Sequence, residues 1–283
     1  MLRAQKPKIN PWLFRPFEKE DFVPVPDDWI IGPPGFVGIA SGKAGTSWWY
    51  RLLLEHPSIQ PNRLPRKELS YFYHFGYQGI SEQAIETYNQ AFAAPPGSLS
   101  GEWSPGYLTF PLAIDYLAKT VRNTKLLAIV RNPVDRFLSA INQKMQVRSQ
   151  ALEIKSSAQY LFHTFSIYPE VALEGLLSAP FRRLLSFFDR SQLLLLQYEK
   201  CKSDPAGEIS KTYRFLGVDE TYVPASLNRK INTRPSSQPE LARFQRRNLA
   251  NYFKEDVENL MRIFPEIDLT LWPDFLGASN DEQ

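Results

Sequence analysis

The stretch FVGIASGKAGTSWWYRLLLEHP, residues 36–57, decides the fold. FVGIA (36–40) is a short apolar run closed by Ser41-Gly42, the pattern of a strand buried on both faces. TSWWYRLLLEHP then reads as a helix, with Thr46 or Ser47 as its cap and Pro57 as its end. Between them lies SGKAGTS, whose glycines let the backbone turn sharply and approach a ligand closely. The start of the helix offers unpaired amides and a partial positive charge. Thr46 and Ser47 add hydroxyls, and Lys43 adds a full charge. Gly42, Lys43, Ala44, Gly45, Thr46 and Ser47 together form a cradle for a phosphate at the end of a parallel strand.

This cradle departs from the nucleoside-triphosphate loop G-x-x-x-x-G-K-[ST]. Gly38 stands one residue too close to Lys43, and Ala44 follows the lysine where that loop needs a hydroxyl for Mg²⁺. Arg131, not a carboxylate, ends the second strand. The cradle therefore reads as a phosphate site without a metal. An ATP-dependent small-molecule kinase stays as a rival reading, as does a non-catalytic binder of nucleotides or glycans.

KLLAIVRNP (125–133) is a second buried strand, followed by the amphipathic helix VDRFLSAINQKM. SQLLLLQYE (191–199) is a third, followed by AGEISKTYRFLGV, a helix closed by Gly217. Strands alternating with helices predict a single α/β domain over residues 35–283, with a central parallel sheet flanked by helices. A last helix, ELARFQRRNLANYFKEDVENLMRIF, is expected after Pro239. Residues 1–34, rich in proline, tryptophan and charge, are expected to form an extended N-terminal arm ordered by Trp12, Phe14 and Trp29.

Composition narrows the class. At 43% hydrophobic and 22% charged residues the chain of 283 residues suits a soluble globular protein. A net charge of +3 fits an anionic ligand but is too small to argue for nucleic acid. The single cysteine, Cys201, rules out an intrachain disulfide and reads as a structural thiol. No run of about 18 apolar residues exists, so no transmembrane segment is expected. The N-terminus lacks the apolar stretch of a signal peptide, and a cytoplasmic location is expected. The oligomeric state is not legible.

VRNPVDRFLSA (130–140) places Arg131 at a strand end and Ser139 two helical turns further on. Together with SGKAGTS it resembles the PAPS-dependent sulfotransferases, whose donor is 3′-phosphoadenosine 5′-phosphosulfate. The resemblance implies a P-loop-kinase-like architecture. It also implies that SGKAGTS holds the 5′-phosphosulfate while Arg131 and Ser139 hold the 3′-phosphate, the arginine through two hydrogen bonds. Over about residues 36–275 the chain is most similar to the heparan sulfate N- and 3-O-sulfotransferases. RKELSYF (66–72) looks like the segment bearing that family's catalytic glutamate. GEWSPGYLTFP (101–111) looks like its Glu-Lys-Thr-Pro segment, and TRPSSQP (233–239), with Arg234, like the loop that closes over PAPS.

The resemblance thus implies Glu68 as general base and Lys43 as the cation at the leaving phosphate. It implies transfer of a sulfuryl group to a hydroxyl, or else an amine, of a small-molecule or glycan acceptor such as a carbohydrate or glycolipid, giving PAP (adenosine 3′,5′-bisphosphate). Three positions depart from the pattern: Trp103 replaces a lysine near the sulfuryl group, Ser70 a histidine, and Ser236 an arginine.

Other residues carry two readings each. Glu102 either orients its neighbours or is a surface charge. Arg63, Arg66 and Lys67 either attract an anionic acceptor or form a solvated loop. His74 is the alternative base; His56 reads as a helix cap and His163 as a core or rim residue. Trp48 and Trp49 read as packing residues, with stacking on adenine or acceptor as the alternative.

Overall fold

The computed structural model describes residues 15–64, 66–148, 169–229 and 241–276. Its centre is a sheet of five strands: β1 Phe36–Ala40, β2 Ile59–Gln60, β3 Leu99–Trp103, β4 Lys125–Val130 and β5 Leu193–Gln197. Their spatial order is β2-β3-β1-β4-β5, and every pairing is parallel. Among the described residues the helices are α1 Thr46–Glu55, α2 Glu82–Gln90, α3 Pro111–Thr120, α4 Pro133–Arg148, α5 Pro169–Leu173, α6 Ser178–Leu184, α7 Tyr198–Ser203, α8 Pro205–Leu216 and α9 Arg243–Ile263. None of the described helices is long and apolar enough to cross a membrane.

Successive side chains of a strand point to opposite faces, and here each face meets its own core. Val37, Ile39, Leu126, Ala128 and Val130 pack with residues of α3, α4 and α9. Phe36, Leu127, Ile129 and Leu196 pack on the other side with Trp49, Leu52 and Leu53 of α1 and Ile209, Tyr213 and Leu216 of α8. This is the α/β architecture the alternating pattern predicts. The parallel direction gathers the C-terminal ends of β1, β3, β4 and β5 along one edge, where sheets of this kind bind ligands.

The structure differs from the sequence reading in detail. β2 and β3 have no counterpart in that reading. β5 stops at Gln197, and Tyr198 and Glu199 open α7. α9 starts at Arg243. Trp12 and Phe14 lie outside the described residues, while Phe17 is buried against Tyr71, ring centroids 4.3 Å apart.

Trp103 ends β3 at the edge where the strands end, but its side chain is turned into the core. It pairs in register with Gly38, is 0% exposed, and donates its indole N–H to the Ala40 carbonyl at 3.1 Å. A Cβ on Gly38 would fall 2.1 Å from the indole ring. The bare glycine is what lets a tryptophan lie across β1.

Candidate active site

The loop after β1 is folded by its own backbone. Ser41 N–H donates to Ile129 O at 2.8 Å, and Ala44 N–H to Ser41 O at 3.2 Å. The cap of α1 is Gly45, at φ +84°, with no side-chain cap bond; Thr46 and Ser47 do not cap it. Glycine is required twice over at 45, because a Cβ there would also meet the Tyr198 ring at 2.9 Å. The amides that open α1 have no carbonyl one turn earlier to receive them, so they face the edge where the strands end. Lys43 itself sits at φ +69°. A lysine in that region costs about 1–3 kcal/mol, and such strain clusters at functional sites.

Arg131 follows β4 directly onto this loop. It donates to Lys43 O at 3.0 Å, and its guanidinium lies 4.8 Å from the centre of the Tyr198 ring. The next residue is anchored from two sides: Asn132 N–H donates to Glu199 Oε1 at 3.0 Å and Asn132 Nδ2 to Asp274 Oδ2 at 2.8 Å. Arg246 of α9 holds both Asp274 and Asp135. Lys43 Nζ reaches α4, donating to Gln143 Oε1 at 3.1 Å, and Ser139 lies half-buried on the same helix. Arg234 and Ser236 lie outside the described residues.

Three buried polar atoms around this loop have no hydrogen-bond partner among the described residues: Ser41 Oγ, Trp48 Nε1 and Arg131 Nε. A buried donor without a partner costs about 1–3 kcal/mol. The arginine and indole N–H groups are donors, as an anionic ligand with many acceptor oxygens requires. The residues present fit a nucleotide bearing phosphates.

Glu68 is brought to this cradle by Lys67. Lys67 Nζ lies 3.0 Å from Thr46 Oγ1 and 3.0 Å from Glu68 Oε1. The lysine side chain is 15% exposed and the glutamate 51%, so the carboxylate opens to solvent while the ammonium is tucked beneath it. Burial lowers the Lys67 pKa, and the Glu68 charge opposes that shift.

The segment carrying Glu68 is stitched to the end of β3. Trp103 N–H donates to Lys67 O at 3.3 Å. Three successive amides find side-chain acceptors: Leu69 on Glu102 Oε2 at 3.1 Å, Ser70 on Ser104 Oγ at 3.0 Å, and Tyr71 on the Tyr107 hydroxyl at 2.8 Å. Glu102 is 0% exposed and also accepts from Ser104 Oγ at 2.5 Å, Tyr88 at 2.7 Å and Tyr107 at 3.0 Å. Burial raises its pKa, and these donors work in the opposite direction. Glu102 is therefore an orienting residue and not a surface charge. Among the described residues, Lys43 and Ser70 are the non-glycines at positive φ. One lies in the cradle, the other two residues past Glu68.

The basic cluster resolves unevenly. Arg63 donates to Gln90 O at 3.2 Å and to Val23 O, and Arg66 donates to Leu69 O at 2.6 Å. Both spend donors on backbone carbonyls, whereas Lys67 bridges to the cradle. His56 is buried, with Nδ1 accepting from Ser58 N–H at 3.1 Å and Nε2 3.1 Å from Asp219 O, a structural role at the end of α1. His74 ends the short 3-10 helix Tyr71–His74, and His163 lies outside the described residues. Trp49 is a core residue, donating to Thr212 Oγ1 at 3.2 Å. Cys201 is buried, which pushes its thiol pKa up. The sequence reading missed Tyr88, Ser104, Tyr107 and Tyr198; their hydroxyls and rings meet the site only through the fold.

Comparison with known proteins identifies the family. The chain is 28% identical over 203 residues to the mouse (Mus musculus) bifunctional heparan sulfate N-deacetylase/N-sulfotransferase 4, a match covering 67% of this chain and 23% of that protein. It is 25% identical over 193 residues to mouse heparan sulfate glucosamine 3-O-sulfotransferase 3A1, covering 65% of this chain and 46% of that one. The chain thus spans less than half the length of these curated relatives. The crystal structure of a sulfotransferase from Alicyclobacillus acidocaldarius superposes with a TM-score of 0.65 at 26% identity, covering 86% of this chain and 100% of that one. The model of the sulfotransferase domain matches residues 35–261, which contain the cradle, Glu68 and Arg131, and the chain belongs to that family.

Proposed function

We propose that this protein transfers the sulfuryl group of PAPS to a hydroxyl, or an amine, of a carbohydrate-type acceptor and releases PAP. One observation carries the reading: Lys67 joins Thr46 of the phosphate cradle to Glu68, 3.0 Å from each, so a carboxylate stands at the mouth of an anion site. When bound, PAPS supplies a sulfuryl group already attached to a good leaving phosphate.

Each residue then has a task. The loop amides, Thr46, Ser47 and Lys43 hold the 5′-phosphosulfate end, and Lys43 steadies the charge that grows on the departing phosphate. Arg131, with Ser139, holds the 3′-phosphate, and Arg234 adds positive charge for the donor. Glu68, half open to solvent, takes the proton from the acceptor. The curated relatives described above are named for heparan sulfate. This supports a sugar as the acceptor.

The test is thermal unfolding with PAP and, separately, with ATP and Mg²⁺. A specific ligand at about 100 times its Kd adds about 2.7 kcal/mol of stability. A clear shift with PAP and little with ATP–Mg²⁺ is expected. The reverse result would make the protein a kinase with an unusual loop and end the PAPS reading.

A further inference from the structure

Lys67 stands between Thr46 of the cradle and Glu68, and nothing above gives it a role in the chemistry. Its ammonium has three N–H donors. Among the described residues two oxygens receive them: Thr46 Oγ1 on the cradle side and Glu68 Oε1 on the acceptor side. The third N–H has no acceptor among the described residues, and the side chain is 15% exposed. The lysine is held from its main chain as well, because Lys67 O accepts from Trp103 N–H and the next amides are fixed on Glu102 and Ser104. The ammonium is thus fixed in position as well as charged. Position 103 offers no competing cation, since the Trp103 indole is spent on Ala40 O inside the core.

We propose that Lys67 is a third catalytic residue, whose ammonium contacts the sulfuryl oxygens while the group moves from donor to acceptor. The proposal rests on the PAPS reading given above. In the step, the bond from sulfur to the bridging oxygen of the donor breaks, and its electron pair stays on the 5′-phosphate of PAP. The bond from the acceptor oxygen to sulfur forms, and the acceptor proton goes to Glu68. Lys67 remains protonated throughout. It acts by placing a fixed positive charge beside oxygens that carry negative charge in the transition state. Lys43 attends the leaving phosphate and Lys67 the travelling group, so the two lysines divide the work.

The experiment uses the full chain with Lys67→Met, which keeps the aliphatic stem, and Lys67→Arg, which keeps the charge. Two quantities are read: the thermal shift caused by PAP, which lacks the sulfuryl group, and PAP formation from PAPS. PAP formation is followed with N-desulfated heparan oligosaccharide and with water alone as acceptor. Lys67→Met should keep the PAP shift while kcat falls by about 10²–10³-fold, the cost of removing one preorganised donor. Lys67→Arg should recover part of that loss. Turnover by Lys67→Met equal to wild type overturns the proposal. So does a parallel loss of PAP response and turnover, which would make Lys67 a structural pin for Thr46. A wild type that ignores PAP overturns the PAPS reading itself, and the proposal with it.

Discussion

The buried carboxylate of Glu102 accepts the amide of Leu69, the residue that follows Glu68, at 3.1 Å. Glu102→Gln puts an N–H₂ group among four donors, so at least one hydrogen bond is lost. A cost of about 1–3 kcal/mol in stability is expected, together with a fall in kcat larger than any change in PAP affinity. The pH dependence has a definite sign. Burial holds the folded-state pKa above the ordinary 4.5. The folded form therefore keeps its proton longer than the unfolded form. The stability this provides is fully present below the ordinary value and is lost as pH rises through the raised one. Urea unfolding over a pH series should show the advantage of wild type over Glu102→Gln shrinking across that window; a constant difference would contradict it.

Glu68→Gln removes the proposed base without disturbing the loop, whose amides are held by Glu102, Ser104 and Tyr107. Turnover should fall by about 10²–10⁴-fold. The PAP-induced thermal shift should survive. A variant with normal turnover would remove Glu68 from the mechanism and bring His74 forward.

Arg131→Ala should weaken PAP binding by about 1.5–3 kcal/mol, the scale of hydrogen bonds to charged groups. Calorimetry with adenosine 5′-monophosphate, which has no 3′-phosphate, is the control. The loss should be much smaller there. An equal loss with both ligands would trace to the bond from Arg131 to Lys43 O, and not to the 3′-phosphate.

Trp103→Ala should cost about 3–5 kcal/mol, the range for a large core aromatic replaced by alanine. Gly38→Ala should cost about 1–3 kcal/mol through overpacking against the indole. Because the two side chains share one space, the double variant should be less unstable than the sum of the single ones. Additive costs in denaturant unfolding would show that the two sites do not communicate.

Much of the fold was legible because its signals are local. The apolar runs of β1 and β4, the glycine-rich loop after β1 and the Gly217 cap at φ +81° all lie within short stretches of sequence. β3 escaped because LSGEW is polar for a buried strand, with Ser100 3% and Glu102 0% exposed. Its polar groups are satisfied by residues far away in the chain, such as Tyr88 and Pro61 O. The apolar run of β5 hid its end, since Tyr198 continues the pattern but turns into a helix. The arginines at 63 and 66 were visible as charges, but their backbone acceptors were not. Sequence gives the inventory of the site, and the long-range hydrogen bonds decide which members face the ligand.

The indole lying across Gly38 has an evolutionary corollary. A lysine at position 103 would leave part of the indole's volume empty above the glycine and bring an ammonium into a buried position. The change is viable only once position 38 or its neighbours have enlarged to close that volume. The two positions should therefore covary across relatives, a tryptophan at 103 keeping company with glycine at 38 and a lysine at 103 with a bulkier residue.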